Sequence, residues 1–268
     1  MNISSTDFLR RVAMGNLNEV RIALAAGIDV KIRGRTYKPK MQRDLQEDLI
    51  VAQNEGNTSL YLAVKNDHLQ VAEALLKNCP SLIDESCFAN RTALFVATKT
   101  CIPLLLENGI NIYQRSDEDW TALLYMIKAC NIVGVTLLLQ KAHQTDESIS
   151  SCLKDITQLP SVIYSLIRQY SEFETLFDFV NIKTRCGLTP LKCAVDKNQI
   201  NVHEIKENPE KYQDYNGIVK LLIDAKARVN VTIGKEKKTL IECAKGSDLL
   251  APDIQLLLQE SYKKETRT

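Results

Sequence analysis

Glycine is scarce in this chain. Ten glycines among 268 residues leave little material for phosphate-cradling loops, and none of the patterns G-x-x-x-x-G-K-[ST], G-x-G-x-x-G or G-x-S-x-G occurs. That excludes the common nucleotide loops and the nucleophile elbow, whose backbones need glycine at set places. Histidine is scarcer still, with only His68, His143 and His203. The run His203-Glu204-Ile205-Lys206-Glu207 lacks the second histidine of H-E-x-x-H, so that zinc site has no ligand pair. No stretch approaches the roughly 20 apolar residues of a membrane helix. Charge of one sign is also missing. The net charge of +1 argues against nucleic acid as a partner of the whole surface. Eight cysteines contain no C-x-x-C. Scattered through a chain of this size, they read as reduced thiols in a reducing, cytoplasmic compartment, several of them packed as small hydrophobes. The opening Met1-Asn2-Ile3-Ser4-Ser5-Thr6-Asp7 is polar and shows no signal-peptide pattern.

What the chain does have is one phrase written several times. The copies are Thr58-Ser59-Leu60-Tyr61-Leu62-Ala63, Thr92-Ala93-Leu94-Phe95-Val96-Ala97, Thr121-Ala122-Leu123 and Thr189-Pro190-Leu191-Lys192-Cys193-Ala194, with a weaker copy at Thr239-Leu240-Ile241-Glu242-Cys243-Ala244. Each precedes an apolar run with helical spacing: Val71 to Leu76, Ile102 to Leu106, Val135 to Leu139, Ile218 to Ile223 and Ile254 to Leu258. The threonines are 34, 29, 68 and 50 residues apart. A unit of about 33 residues explains these gaps. The second gap is a unit shortened by about five residues, the third hides a whole unit, and the fourth holds a polar insertion over 199–214. Within each unit the threonine hydroxyl caps the first helix. The small alanine lets two antiparallel helices approach, and Gly27 and Gly109 permit left-handed helix ends. One unit cannot bury its apolar face alone, so the units must stack.

These residues resemble the ankyrin repeat, with its T-P-L-H-x-A phrase and following G-x-x-x-V-x-x-L-L. The amino-terminal segment fits as well. Phe8-Leu9-Arg10-Arg11-Val12-Ala13 matches a first helix, Gly15 to Leu24 a turn and second helix, and Gly27-Ile28-Asp29-Val30 the exit. The resemblance implies a single all-α ankyrin-type helical solenoid spanning 1–268. Its seven irregular repeats fall at about 4–31, 56–85, 89–113, 118–143, 150–181, 186–230 and 236–262, with insertions at about 32–55 and 199–214. The family histidine is replaced by Tyr61, Phe95, Leu124, Lys192 and Glu242. This removes a hydrogen-bond network between units and predicts irregular stacking.

The resemblance also implies a non-catalytic, monomeric scaffold that binds another protein through its concave face and loop tips, with no small-molecule cofactor and no metal. Three stretches are candidates for that surface. Trp120, the only tryptophan, follows Asp117-Glu118-Asp119 and precedes the capping Thr121. This placement suits an interface anchor at a loop tip, the alternative being packing on the next loop. Lys65, Lys99 and Lys128 each lie five residues after the repeat leucine, with Tyr61, Leu62 and Tyr125 on the same helices. Stacked side by side, they would suit a partner with an acidic and apolar surface; a merely solvated face is the plainer reading. Last, Lys31, Arg33, Arg35, Lys38, Lys40 and Arg43 surround Tyr37 in the first insertion, offering weak contact to nucleic acid or acidic lipid. Large residues from Ile163 to Phe179 read as the core of the hidden unit, the alternative being a surplus aromatic face that marks a dimer contact. A second class of function places an enzymatic or enzyme-regulating site in 144–185, where Cys152, with Cys186 and His143 at its edges, would act.

Degenerate units, irregular insertions and a Lys-, Asn- and Ile-rich composition further resemble ankyrin effectors that intracellular bacteria such as Legionella deliver into host cells. That resemblance implies a host protein as partner and a site of action in the host cytosol. The hydrophilic stretch Glu260 to Thr268 would fit a carboxy-terminal secretion signal.

Overall fold

The computed structural model describes residues 4–33, 56–155, 175–196, 201–233, 238–245 and 247–267, with side chains 146–155, Phe88 and Ile233 left aside. The described residues fold mostly into short antiparallel helix pairs, in two compact units, Met1–Ala122 and Leu123–Thr268.

In the first unit, α1 (Ser5–Ala13) and α2 (Leu17–Ala25) form one pair, and α3 (Ser59–Lys65) and α4 (Leu69–Asn78) the next. Ser4 and Thr58 cap α1 and α3, accepting the backbone N–H of Asp7 at 3.2 Å and of Tyr61 at 3.1 Å. Each cap satisfies one of the donors that the first turn leaves open. Helix α3 is the hub, packing on α1, on α4 and on the 3-10 turn Ala93–Val96. Phe8, Val12, Leu60, Leu62, Leu75 and Leu105 are wholly or almost wholly buried around it.

The shortened third repeat is explained here. Its first helix has collapsed to the single turn Ala93–Val96, followed by α5 (Ile102–Glu107) with Pro103 in its first turn. With no α-helix to cap, the Thr92 hydroxyl is buried without a hydrogen-bond partner. The expected cap therefore fails at Thr92. It fails at Thr121 as well, where the backbone pairs with Arg115 and the hydroxyl is buried and unbonded. At Thr189 and Thr239 the cap forms as expected, on the N–H of Lys192 and of Glu242.

Left-handed backbone marks equivalent corners. Gly27 and Gly109 close second helices at φ 75° and 79°, as the sequence requires, because a side chain there crowds the following carbonyl.

The second unit departs further from the expected boundaries. Helix α6 (Ala122–Lys128) leads into α7 (Ile132–Asp155), which runs unbroken for 24 residues. The loop expected between repeats near 143–150 is therefore helix. The reason is composition: residues 135–158 contain neither glycine nor proline, so nothing local ends the helix. Residues 156–174 lie outside the described residues, and with them Ile163, Tyr164, Leu166, Ile167, Tyr170 and Phe173 of the hidden repeat. That repeat resumes at α8 (Leu176–Val180), where Thr175 and Asp178 form a reciprocal capping box.

The rest of the unit is α9 (Pro190–Val195), α10 (Val202–Glu207), α11 (Pro209–Asp224), a hairpin of β1 (Thr232–Ile233) and β2 (Lys238–Thr239), α12 (Leu240–Lys245) and α13 (Pro252–Glu265). From Asn201 on, the polar insertion is helical. Asn201 caps α10, and Asn208 caps α11 with Pro209 at its first position, so the insertion is absorbed as a short helix plus an amino-terminal extension of the repeat's second helix. Asn216, buried on α11, ties the unit together. Its side chain donates to the carbonyls of Tyr212 and Leu249 and accepts from the N–H of Ala251.

The hydrophilic stretch from Glu260 belongs to the last turns of α13 as far as Glu265. The Glu265 carboxylate accepts the backbone N–H groups of Val229 and Asn230 at 2.8 and 2.9 Å. No helix among the described residues is long and apolar enough to cross a membrane.

Candidate protein-binding surface

Repeats become a surface only if their turns are held side by side. In the first unit they are. The Asn90 side chain donates to the carbonyl of Arg115, the N–H of Asp117 donates to the carbonyl of Ala89, and the N–H of Asn111 donates to Asp84. Lys31 and Arg33 both reach the carboxylate of Glu85 at 3.3 Å. These ion pairs are largely exposed and worth well under about 1 kcal/mol each. Their effect is to align neighbouring turns and to neutralise part of the basic stretch. Arg33 also pairs its backbone with Thr58 in an isolated antiparallel bridge. Arg35 and Lys38 lie outside the described residues.

Trp120 stands on the turn that follows. The N–H of Ser116 donates to the Trp120 carbonyl at 2.9 Å, and the Ser116 hydroxyl oxygen accepts from the N–H groups of Glu118 and Trp120. Asp119 takes φ 59° to close the turn. The indole is half-buried while Asp117 and Glu118 are exposed. The side chain thus stands at a turn and is partly packed.

The three lysines of the expected row fall on helix and turn ends. Lys65 ends α3 and Lys99 follows the 93–96 turn, both exposed. One residue ties the end of α3 to the loop that carries Lys99. Asp67, at φ 59°, accepts hydrogen bonds from the hydroxyls of Thr98 and Thr100 and from the Cys101 thiol. Lys65 lies two residues before this clamp and Lys99 lies between its two threonines. Lys128 ends α6, exposed, with Tyr125 half-buried on the same helix, both in the second unit. Nothing in the sequence pattern pointed to Asp67 or Glu85. Their partners are 31 to 34 residues away for Asp67 and 52 away for the Arg33 contact of Glu85, beyond the reach of any local signal.

Two expected contact residues are not at the surface. Leu62 is fully buried and Tyr61 is 6% exposed. The reason is the hub position of α3: with α1, α4 and the 93–96 turn around it, every residue from Ser59 to Val64 is buried. The apolar half of the expected patch is therefore core.

His68 behaves as a turn histidine. Its Nε2 is 3.0 Å from the carbonyl oxygen of Ala13, joining the second repeat to the first. His143 is exposed on α7, and His203 is solvent-exposed beside Glu207 at 2.9 Å. The described cysteines are free thiols. Burial pushes Cys101 and Cys130 up to about 11 and Cys193 up to about 12. Protonated at neutral pH, these thiols are weak nucleophiles. Cys186, by contrast, is exposed on a turn. Iodoacetamide at pH 8 is expected to modify Cys186 in the folded protein and to spare Cys101 and Cys193. For Cys101 the raised pKa alone lowers the thiolate population about a hundredfold. Site-resolved mass spectrometry before and after unfolding checks this, and rapid labelling of Cys193 in the native state would contradict its placement.

The stacked pairs, the antiparallel bridges at Thr58, Thr121 and Thr239 and the left-handed corners have counterparts among known proteins. The ankyrin repeat family model matches residues 55–85. The crystal structure of an ankyrin repeat domain from Acinetobacter baumannii is similar to this chain at a TM-score of 0.60, covering 96% of this chain and 98% of that one at 14% identity. The chain carries an ankyrin repeat and has the ankyrin-repeat fold. No curated protein matches the sequence. Ankyrin repeats generally mediate protein–protein interaction, and the fold is typically a non-enzymatic scaffold. The matched residues, α3 and α4 with the turn before them, are the hub of the first unit.

Proposed function

We propose that this ankyrin-repeat chain is a non-catalytic recognition scaffold that binds another protein, and that the first unit supplies contacts through its hairpin turns and first-helix ends. The observation that carries the reading is the bonding between successive turns, from Glu85 to Asp117. Side chains on turns held this way lose little freedom on binding, and that loss is a main cost of association. Trp120 is the anchor, Arg33 lies further along the series of turns beyond the one that carries Glu85 and Asn90, and Lys65 and Lys99 are the cationic edge that meets acidic groups on the partner. Lys128 and Tyr125 offer the same chemistry on the second unit. Buried Leu62 and Tyr61 support this surface from beneath.

A pull-down from cell lysate tests the reading. Trp120→Ala is expected to weaken capture of the partner by tenfold or more, the scale of an aromatic hot spot worth about 1.4 kcal/mol or above. A triple Lys→Glu change at 65, 99 and 128 is expected to abolish it, since reversed charge repels what the lysines attracted. Undiminished capture by both folded variants would overturn the assignment.

The reading extends to a host protein as the partner of a secreted bacterial effector, an extension supported by composition and degenerate repeats. A reporter fused to the chain and assayed inside host cells tests it, with signal expected only when the bacterial secretion apparatus is intact. Because the last turn of α13 is packed through Glu265, the reporter belongs beyond Thr268 and not in place of the tail.

A further inference from the structure

We draw no further inference here: the strongest candidate, the open groove between α2 and α4 lined by Arg21, Leu24, Gln70, Glu73 and Lys77, carries nothing because nothing in the structure shows what covers it.

Discussion

Leu62→Ala is expected to destabilise the first unit by about 2–5 kcal/mol, the range for deleting a buried leucine side chain. Leu62 has no exposed surface, and it sits on a helix that packs on both the preceding and the following repeat. A void there loosens three elements together. In a stacked array, stability comes from nearest-neighbour interfaces, so the damage spreads along α1, α4 and the 93–96 turn. Urea unfolding gives the size, and hydrogen exchange should show lost protection across residues 59–96. Lys65→Ala, three residues on and exposed, is the matched control and should change stability by less than about 0.5 kcal/mol. If Leu62→Ala left stability within that same margin but removed partner binding, Leu62 would be a contact residue and the buried placement of α3 would be wrong.

The second large effect is at Gly15. Its φ is +74°, and a Cβ added there would lie 2.7 Å from both Cε1 and Nδ1 of His68. Two costs follow from Gly15→Ala. A side chain in the left-handed region costs about 1–2 kcal/mol. The imidazole must also move, which breaks its hydrogen bond to the Ala13 carbonyl and adds about 1 kcal/mol. The expected total is about 2–3 kcal/mol. A double-mutant cycle separates the parts. In a His68→Ala background the steric cost disappears and the backbone cost stays, so the two changes should be coupled by about 1 kcal/mol. Strict additivity would mean that Gly15 and His68 do not touch.

Gly15 and His68 also show how much the sequence discloses. The Gly-Asn of the first repeat and the Asp-His of the second both read as corners between helices, because corner chemistry is local. The Thr-x-Leu phrase, the apolar runs and the glycine exits were legible for the same reason: caps, periodicity and left-handed backbone depend on neighbours within a turn or two. The site was far less legible. Helical spacing placed Leu62 with Lys65 on one helix, yet only packing decides which sides of α3 are covered, and all of Ser59 to Val64 is. Asp67, which bonds to Thr98 and Thr100 on either side of Lys99, gives no sign in the pattern, because its partners come from the next repeat.

The amino-acid sequence alone determined that this chain is a run of helix pairs with small residues where helices must approach, since those demands are met residue by residue. Tertiary structure decided which threonines cap, that the tail is bound through Glu265, and which side chains of the repeat remain exposed. The physical reason is the same in each case. A backbone N–H or an apolar surface takes whatever partner the fold brings to it, and that partner lies one repeat away in space and about thirty residues away in the chain.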